Sequence, residues 1–305
     1  MLGLGSIIGT GVFVSLGIGI SMAGPTVLPA IAFAGLVAMC NGLNSAQLAA
    51  NHPVSGGTYE YGHRWLNPSL GFVAGWMFLC AKSASAATAA LGFALYLAPD
   101  HQIPMALGTV ALTTSITLTG MQRSNTVNAL IVGAVLLALL AFVALGAPAI
   151  DADPERWQTT LQPGQFGQLL PTAALMFVAF TGYGRIATLG EEVTEPRRTI
   201  PRAVLTTLIL SMLLYIGVAW VSLANAENEI GSLANLAEEF SGSTLRKVML
   251  VAAAIAMVSV LLNLVLGLSR VVLAMGRRGD LPKATANIRE ASSVPTVATA
   301  VVSVL

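Results

Sequence analysis

Two long apolar runs in this chain are each cut by glycine in mid-run. The first is 1–17, MLGLGSIIGTGVFVSLG; the second is 170–190, LPTAALMFVAFTGYGRIATLG. A helix in lipid must satisfy every backbone N–H and C=O, so a mid-span break survives only where the freed groups face protein or a wet cavity. Two breaks at corresponding places in two halves of a chain are the pattern of a solute site between two repeats.

Composition agrees with lipid as the solvent. Hydrophobic residues make up 55% of the chain and charged residues 10%, against about 25% charge in a soluble domain. A span takes roughly 20 apolar residues, a length supplied many times over. The net charge of +1 gives no argument for nucleic acid as a partner. Cys40 and Cys80 lie in apolar stretches and read as small packing residues, not as a disulfide. His52, His63 and His101 are scattered through loops, and no His, Cys or carboxylate cluster has metal-ligand spacing. Neither a metal nor another cofactor is expected. Met1 opens inside an apolar run with no basic region before it, so a cleavable signal is not expected. The run 294–305 starts another apolar segment, and the chain reads as part of a longer membrane protein.

Hydropathy predicts eight spans and a partial ninth: 1–22, 26–50, 69–98, 103–120, 125–147, 168–190, 202–224, 245–276 and 295 onward. With the second connector placed in the cytoplasm, that side holds Arg64, Arg123, Arg197, Arg198, Arg202, Arg277, Arg278, Lys283 and Arg289. The other side holds only Arg156, Arg246 and Lys247. This asymmetry predicts a multi-pass protein of the cell membrane with a cytoplasmic N-terminus. One transmembrane domain is expected over 1–305, with a first repeat at 1–150 and a second, incomplete one at 165–305. An odd number of spans per repeat inverts one relative to the other.

The residues of the first break suggest what it holds. Gly5, Gly9 and Gly11 remove side chains where the backbone leaves the helix. A helix restarting near Thr10 points free N–H groups and its positive dipole end into the cavity, which suits a carboxylate. The carbonyls of Ser6, Ile7 and Ile8 can accept from an ammonium group. The alternative is that the glycines form a close-packing helix face. Lys82 is the sharpest single anomaly, because it lies mid-span with no carboxylate in the middle of any other span. A lysine there costs at least about 2.5–3.5 kcal/mol, so it faces a cavity. It is read either as the proton-coupling group or as a structural donor to carbonyls of the broken helices. Glu191, Glu192, Arg197 and Arg198 sit beside Pro196 and Pro201, which are expected to end one helix and begin the next. These charges form either an inner gate of ion pairs or solvated, topology-setting residues, and Arg270 could join either network.

Four blocks then carry a family resemblance. They are GSIIGTGVF at 5–13, HPVSGGTYEYGHRWLNPSLGFVAGW at 52–76, FVAFTGYGRIATLGEEVTEPRRTIPRA at 177–203 and GLSRVVLAMGRRGDLPKA at 267–284. In order and spacing they resemble the amino acid–polyamine–organocation (APC) superfamily. The resemblance implies an all-α integral membrane protein of the leucine-transporter type, with inverted five-helix repeats truncated in the ninth helix. It implies a secondary active transporter moving amino acids by alternating access, not an enzyme; Lys82 points to H+ as the coupling ion in symport, with sodium coupling or exchange left open. Its partners would be an amino acid, H+ and membrane lipid. Phe180 would shield the site, the backbone around Thr181 and Gly182 would receive the substrate amine, and Tyr183 is a further substrate-binding candidate. Many relatives carry an acidic residue where this chain has Gly184, so acidic gating does not carry over. Some relatives use a lysine on helix five for protons, but VNALIVGAVLLALL has none. A cavity-lining Lys82 would repel a cationic side chain, which favours neutral substrates. The alternatives are a polyamine or other amine transporter or exchanger, and a non-transporting membrane sensor.

Overall fold

The computed structural model describes residues 2–52, 54, 56–119, 121–148, 150, 167–187, 195–225, 232–288 and 294–304. The described residues are almost entirely helical. The first span is α1 (Leu2–Ile7), a turn at Ile8 and Gly9, a π-helical turn (Gly11–Ser15) and α2 (Leu16–Ala23). Then follow α3 (Val27–Asn51), α4 (Thr58–Trp65), α5 (Pro68–Leu97), α6 (Gln102–Leu118) and α7 (Met121–Gly146). The sixth span is α8 (Leu169–Phe180), a 3-10 turn (Thr181–Tyr183) and α9 (Gly184–Ala187). The last elements are α10 (Pro196–Asn225), α11 (Leu233–Ser241), α12 (Ser243–Arg278) and α13 (Thr296–Val304).

Local chemistry fixes several of these ends. At the start of α5, Pro68 occupies the first turn and the Asn67 side chain accepts from Leu70 N at 2.8 Å, which satisfies one orphan donor. Gly279, at φ 89°, closes α12 in the left-handed conformation that favours glycine. The α10 start differs from expectation. Pro196 opens that helix and Pro201 lies inside it, so the helix begins before the predicted 202. The short helices α4 and α11 fall in connectors that a hydropathy scan reads as loop.

The spans pack as two groups. One comprises the first span, α3, α8 and α10; the other comprises α5, α6, α12 and α13, and α7 touches both. Outward faces are apolar: Val73, Met77, Leu91 and Leu95 of α5 are exposed, as a lipid-facing helix requires. Cys40 and Cys80 are free thiols on exposed faces and not packing residues of the interior.

The connector helix α4 is tied to the end of α12. Arg278 donates to Glu60 through Nε at 3.0 Å and through a second nitrogen at 2.5 Å. The Tyr59 hydroxyl donates to Asp280 at 2.6 Å, and His63 Nε2 lies 3.6 Å from the same carboxylate. Burial and the Asp280 carboxylate push the Tyr59 phenol above its ordinary value, so it stays a donor. The Glu60 side chain is 12% exposed and that of Arg278 42%. Arg278→Ala is expected to destabilise the protein by about 1–2 kcal/mol, less than a fully buried broken pair costs because the guanidinium is partly solvated. Thermal unfolding in detergent checks this, and pairing the change with Glu60→Gln should recover part of the loss.

Candidate functional site: the cavity between two broken helices

The two breaks meet each other. Gly182 packs on the backbone of α1, and a Cβ there would sit 2.5 Å from the Ser6 carbonyl oxygen and 2.6 Å from its carbon. Glycine at 182 therefore sets how close the breaks approach. Beside this contact is a cavity of about 20 Å3 lined by Ser6, Phe78, Lys82, Thr181, Gly182, Asn263, Leu264, Gly267 and Leu268. That is room for about one water. Ser6, Thr181 and Gly182 come from the first helix group, and Phe78, Lys82 and the α12 residues from the second.

Lys82 lies midway along α5 and bridges the groups. Its ammonium donates to Thr181 Oγ1 at 2.8 Å and lies 3.3 Å from the Thr181 carbonyl. The Thr181 hydroxyl in turn donates to Val178 O at 2.7 Å. The structural alternative for Lys82 is thus present: it is a donor to the second broken helix. No carboxylate lines the cavity among the described residues.

The first break is held by residues that hydropathy does not single out. Tyr215 of α10 is fully buried and donates to Ile7 O at 2.7 Å. The Ile7 carbonyl, expected as an acceptor for the substrate, already has this donor. Gly11 packs directly under the Tyr215 hydroxyl, and Gly9 packs on Val260 of α12. Both glycines thus serve close packing as well as the break. Further along, the Tyr96 hydroxyl of α5 donates to Phe13 O in the π-helical turn at 3.1 Å. A π turn at such a place is a common mark of a functional site. Tyr215→Phe leaves the Ile7 carbonyl without its donor and is expected to cost about 1–2 kcal/mol. Unfolding midpoints of the two proteins, compared in one detergent, measure the loss.

A buried amide pair adjoins the same break. Asn128 Oδ1 accepts from Asn263 Nδ2 and from Ser259 Oγ, both at 2.6 Å. Gly5 lets both amides approach α1: a Cβ there would lie 2.9 Å from Asn128 Oδ1 and 3.0 Å from Asn263 Nδ2. The sequence signal for these residues is an amide inside an otherwise apolar span.

Other predicted residues lie elsewhere. Phe180 is buried against the Tyr215 ring at 5.2 Å, and Tyr183 is buried near Gly42 of α3; neither lines the cavity, nor does Thr10. Glu191 and Glu192 fall outside the described residues. Arg197 and Arg198 are exposed, and Arg198 lies 4.0 Å from Glu195 in an exposed pair. Arg270 is buried within α12, 8% exposed.

Broken helices meeting between two helix groups define a membrane transporter of the inverted-repeat class. The comparisons agree. The family described as Amino acid permease matches residues 1–305. An uncharacterized transporter of Mycobacterium tuberculosis is 38% identical over 300 residues, spanning 97% of this chain and 68% of its own length. The branched-chain amino acid permease BcaP of Bacillus subtilis is 26% identical over 98% of this chain and 70% of its own. The methylthioribose transporter of the same organism is 27% identical over 97% and 69%. The crystal structure of MhsT in complex with L-phenylalanine superposes with a TM-score of 0.67 at 12% identity, over 99% of this chain and 76% of that one. The chain belongs to the amino acid permease family and has the leucine-transporter-type fold.

Proposed function

We propose that this permease is a secondary active transporter of the cell membrane that moves amino acids, preferring neutral ones, by alternating access with H+ as coupling ion. The observation that carries the reading is the contact of the two breaks, Gly182 on Ser6, beside a cavity that holds the Lys82 ammonium. The Ser6 and Thr181–Gly182 backbones receive the substrate amine, and the restart at Thr10–Gly11 receives its carboxylate. Protonated Lys82 disfavours cationic side chains and polyamines, since no described lining residue is acidic. The basic residues of the alternate connectors support a cytoplasmic N-terminus. Arg197, Arg198 and Arg270 belong to the inner side, where they assist closure.

The test is uptake of labelled amino acids into proteoliposomes, with pH gradients of both polarities imposed. Accumulation of neutral amino acids that follows the gradient supports the reading. Folded, inserted protein that moves no amino acid defeats it. The similarity to a methylthioribose transporter favours a second reading, an uncharged solute, and that sugar belongs in the same panel.

A further inference from the structure

One residue at each break already has a donor from a distant helix. Ile7 O accepts from Tyr215, and Thr181 offers its carbonyl and hydroxyl to Lys82. The ammonium at this site is the chain's own. A substrate α-ammonium has the same charge, the same three donors and the same preference for carbonyl and hydroxyl oxygen. Two such cations within a few ångströms repel strongly away from water. No other described residue lining the cavity titrates: α1 contributes Ser6, the 3-10 turn Thr181 and Gly182, and α12 only Asn263 and apolar or glycine neighbours. The closest charge along α12 is Arg270, one turn beyond Gly267 and itself cationic. A charged Lys82 pushed off Thr181 thus finds no anion among the described lining residues.

We infer that Lys82 is a tethered stand-in for the substrate's amine, so that the charged lysine and a charged α-amine hold the Thr181 acceptors in turn. Amine binding then strips the proton from Lys82, and it leaves to the solution from which the substrate came. Proton and amine occupy the carrier alternately, which is exchange where the sequence suggested symport. The inference rests on the amino acid reading proposed above.

Calorimetric titration of the purified protein with L-leucine, in two buffers of different ionisation heat, tests it. The native chain is expected to release up to one proton per leucine bound, with affinity rising as pH rises, at most tenfold per unit. Lys82→Met should bind leucine with no proton release and no pH dependence. 4-Methylpentanoate, leucine without its amine, should release no proton from the native chain. Leucine binding without proton release overturns the inference, and so does release that persists in Lys82→Met or is matched by 4-methylpentanoate. If Lys82→Met and Lys82→Gln both fold but lose binding, Lys82 is a substrate ligand and not its competitor, which overturns the inference too. Failure of the folded native chain to bind any amino acid overturns the transport reading as well, and the uptake panel tells that case apart.

Discussion

Gly182→Ala is expected to abolish amino acid uptake. The added Cβ would stand 2.5 Å from Ser6 O, 2.6 Å from Ser6 C and 2.6 Å from Ile7 Cγ1. Two of these three atoms are backbone, which cannot rotate aside, so the breaks must move apart. Overpacking of this kind costs about 1–3 kcal/mol, and here all of it falls on the contact that defines the site. Gly184→Ala is the control. A Cβ at Gly184 would meet only Phe78 Cε2, at 3.8 Å, an ordinary contact, so uptake should stay near that of the native chain. Initial rates of both variants in proteoliposomes, normalised to inserted protein, decide the point. Equal activity of Gly182→Ala and Gly184→Ala would mean that the breaks need not touch for transport.

Lys82→Met is expected to free transport from the proton gradient. One exchanged proton makes a one-unit pH difference worth about 1.4 kcal/mol, or about tenfold in steady-state accumulation. The native chain should show that dependence, and the variant should only equilibrate its substrate. The substitution also removes the hydrogen bond between α5 and the sixth span, so the two helix groups should part more readily. Uptake against gradients of several sizes gives the slope directly. A native slope that survives in Lys82→Met would move the coupling to a titratable group outside the cavity lining.

Several lines of this protein were legible before any tertiary contact was known. Spans predicted at 26–50 and 69–98 are helices at Val27–Asn51 and Pro68–Leu97, because lipid demands a long apolar run for each crossing and tolerates few exceptions. Both breaks were legible because glycines interrupt two apolar runs at corresponding places in the chain, although glycine in a span also serves close packing. Lys82 was legible as an anomaly, since an ammonium in a span needs a cavity. Connector helices were not. Apolar periodicity over a segment as short as Thr58–Trp65 carries too little signal, and α4 is held in place by Arg278 and Asp280, far along the chain.

By itself, then, the sequence determined the solvent, the crossings and the places where the helices fail. Tertiary structure alone decided how each failure is satisfied. Ile7 O takes its donor from Tyr215, 208 residues away, and Thr181 takes its donor from Lys82, 99 residues away. Phe180 packs on the ring of Tyr215, 35 residues away. Hydropathy is a local property that each segment carries alone. A freed carbonyl binds whichever donor the packing of distant helices brings within about 3 Å, and no single segment contains that information.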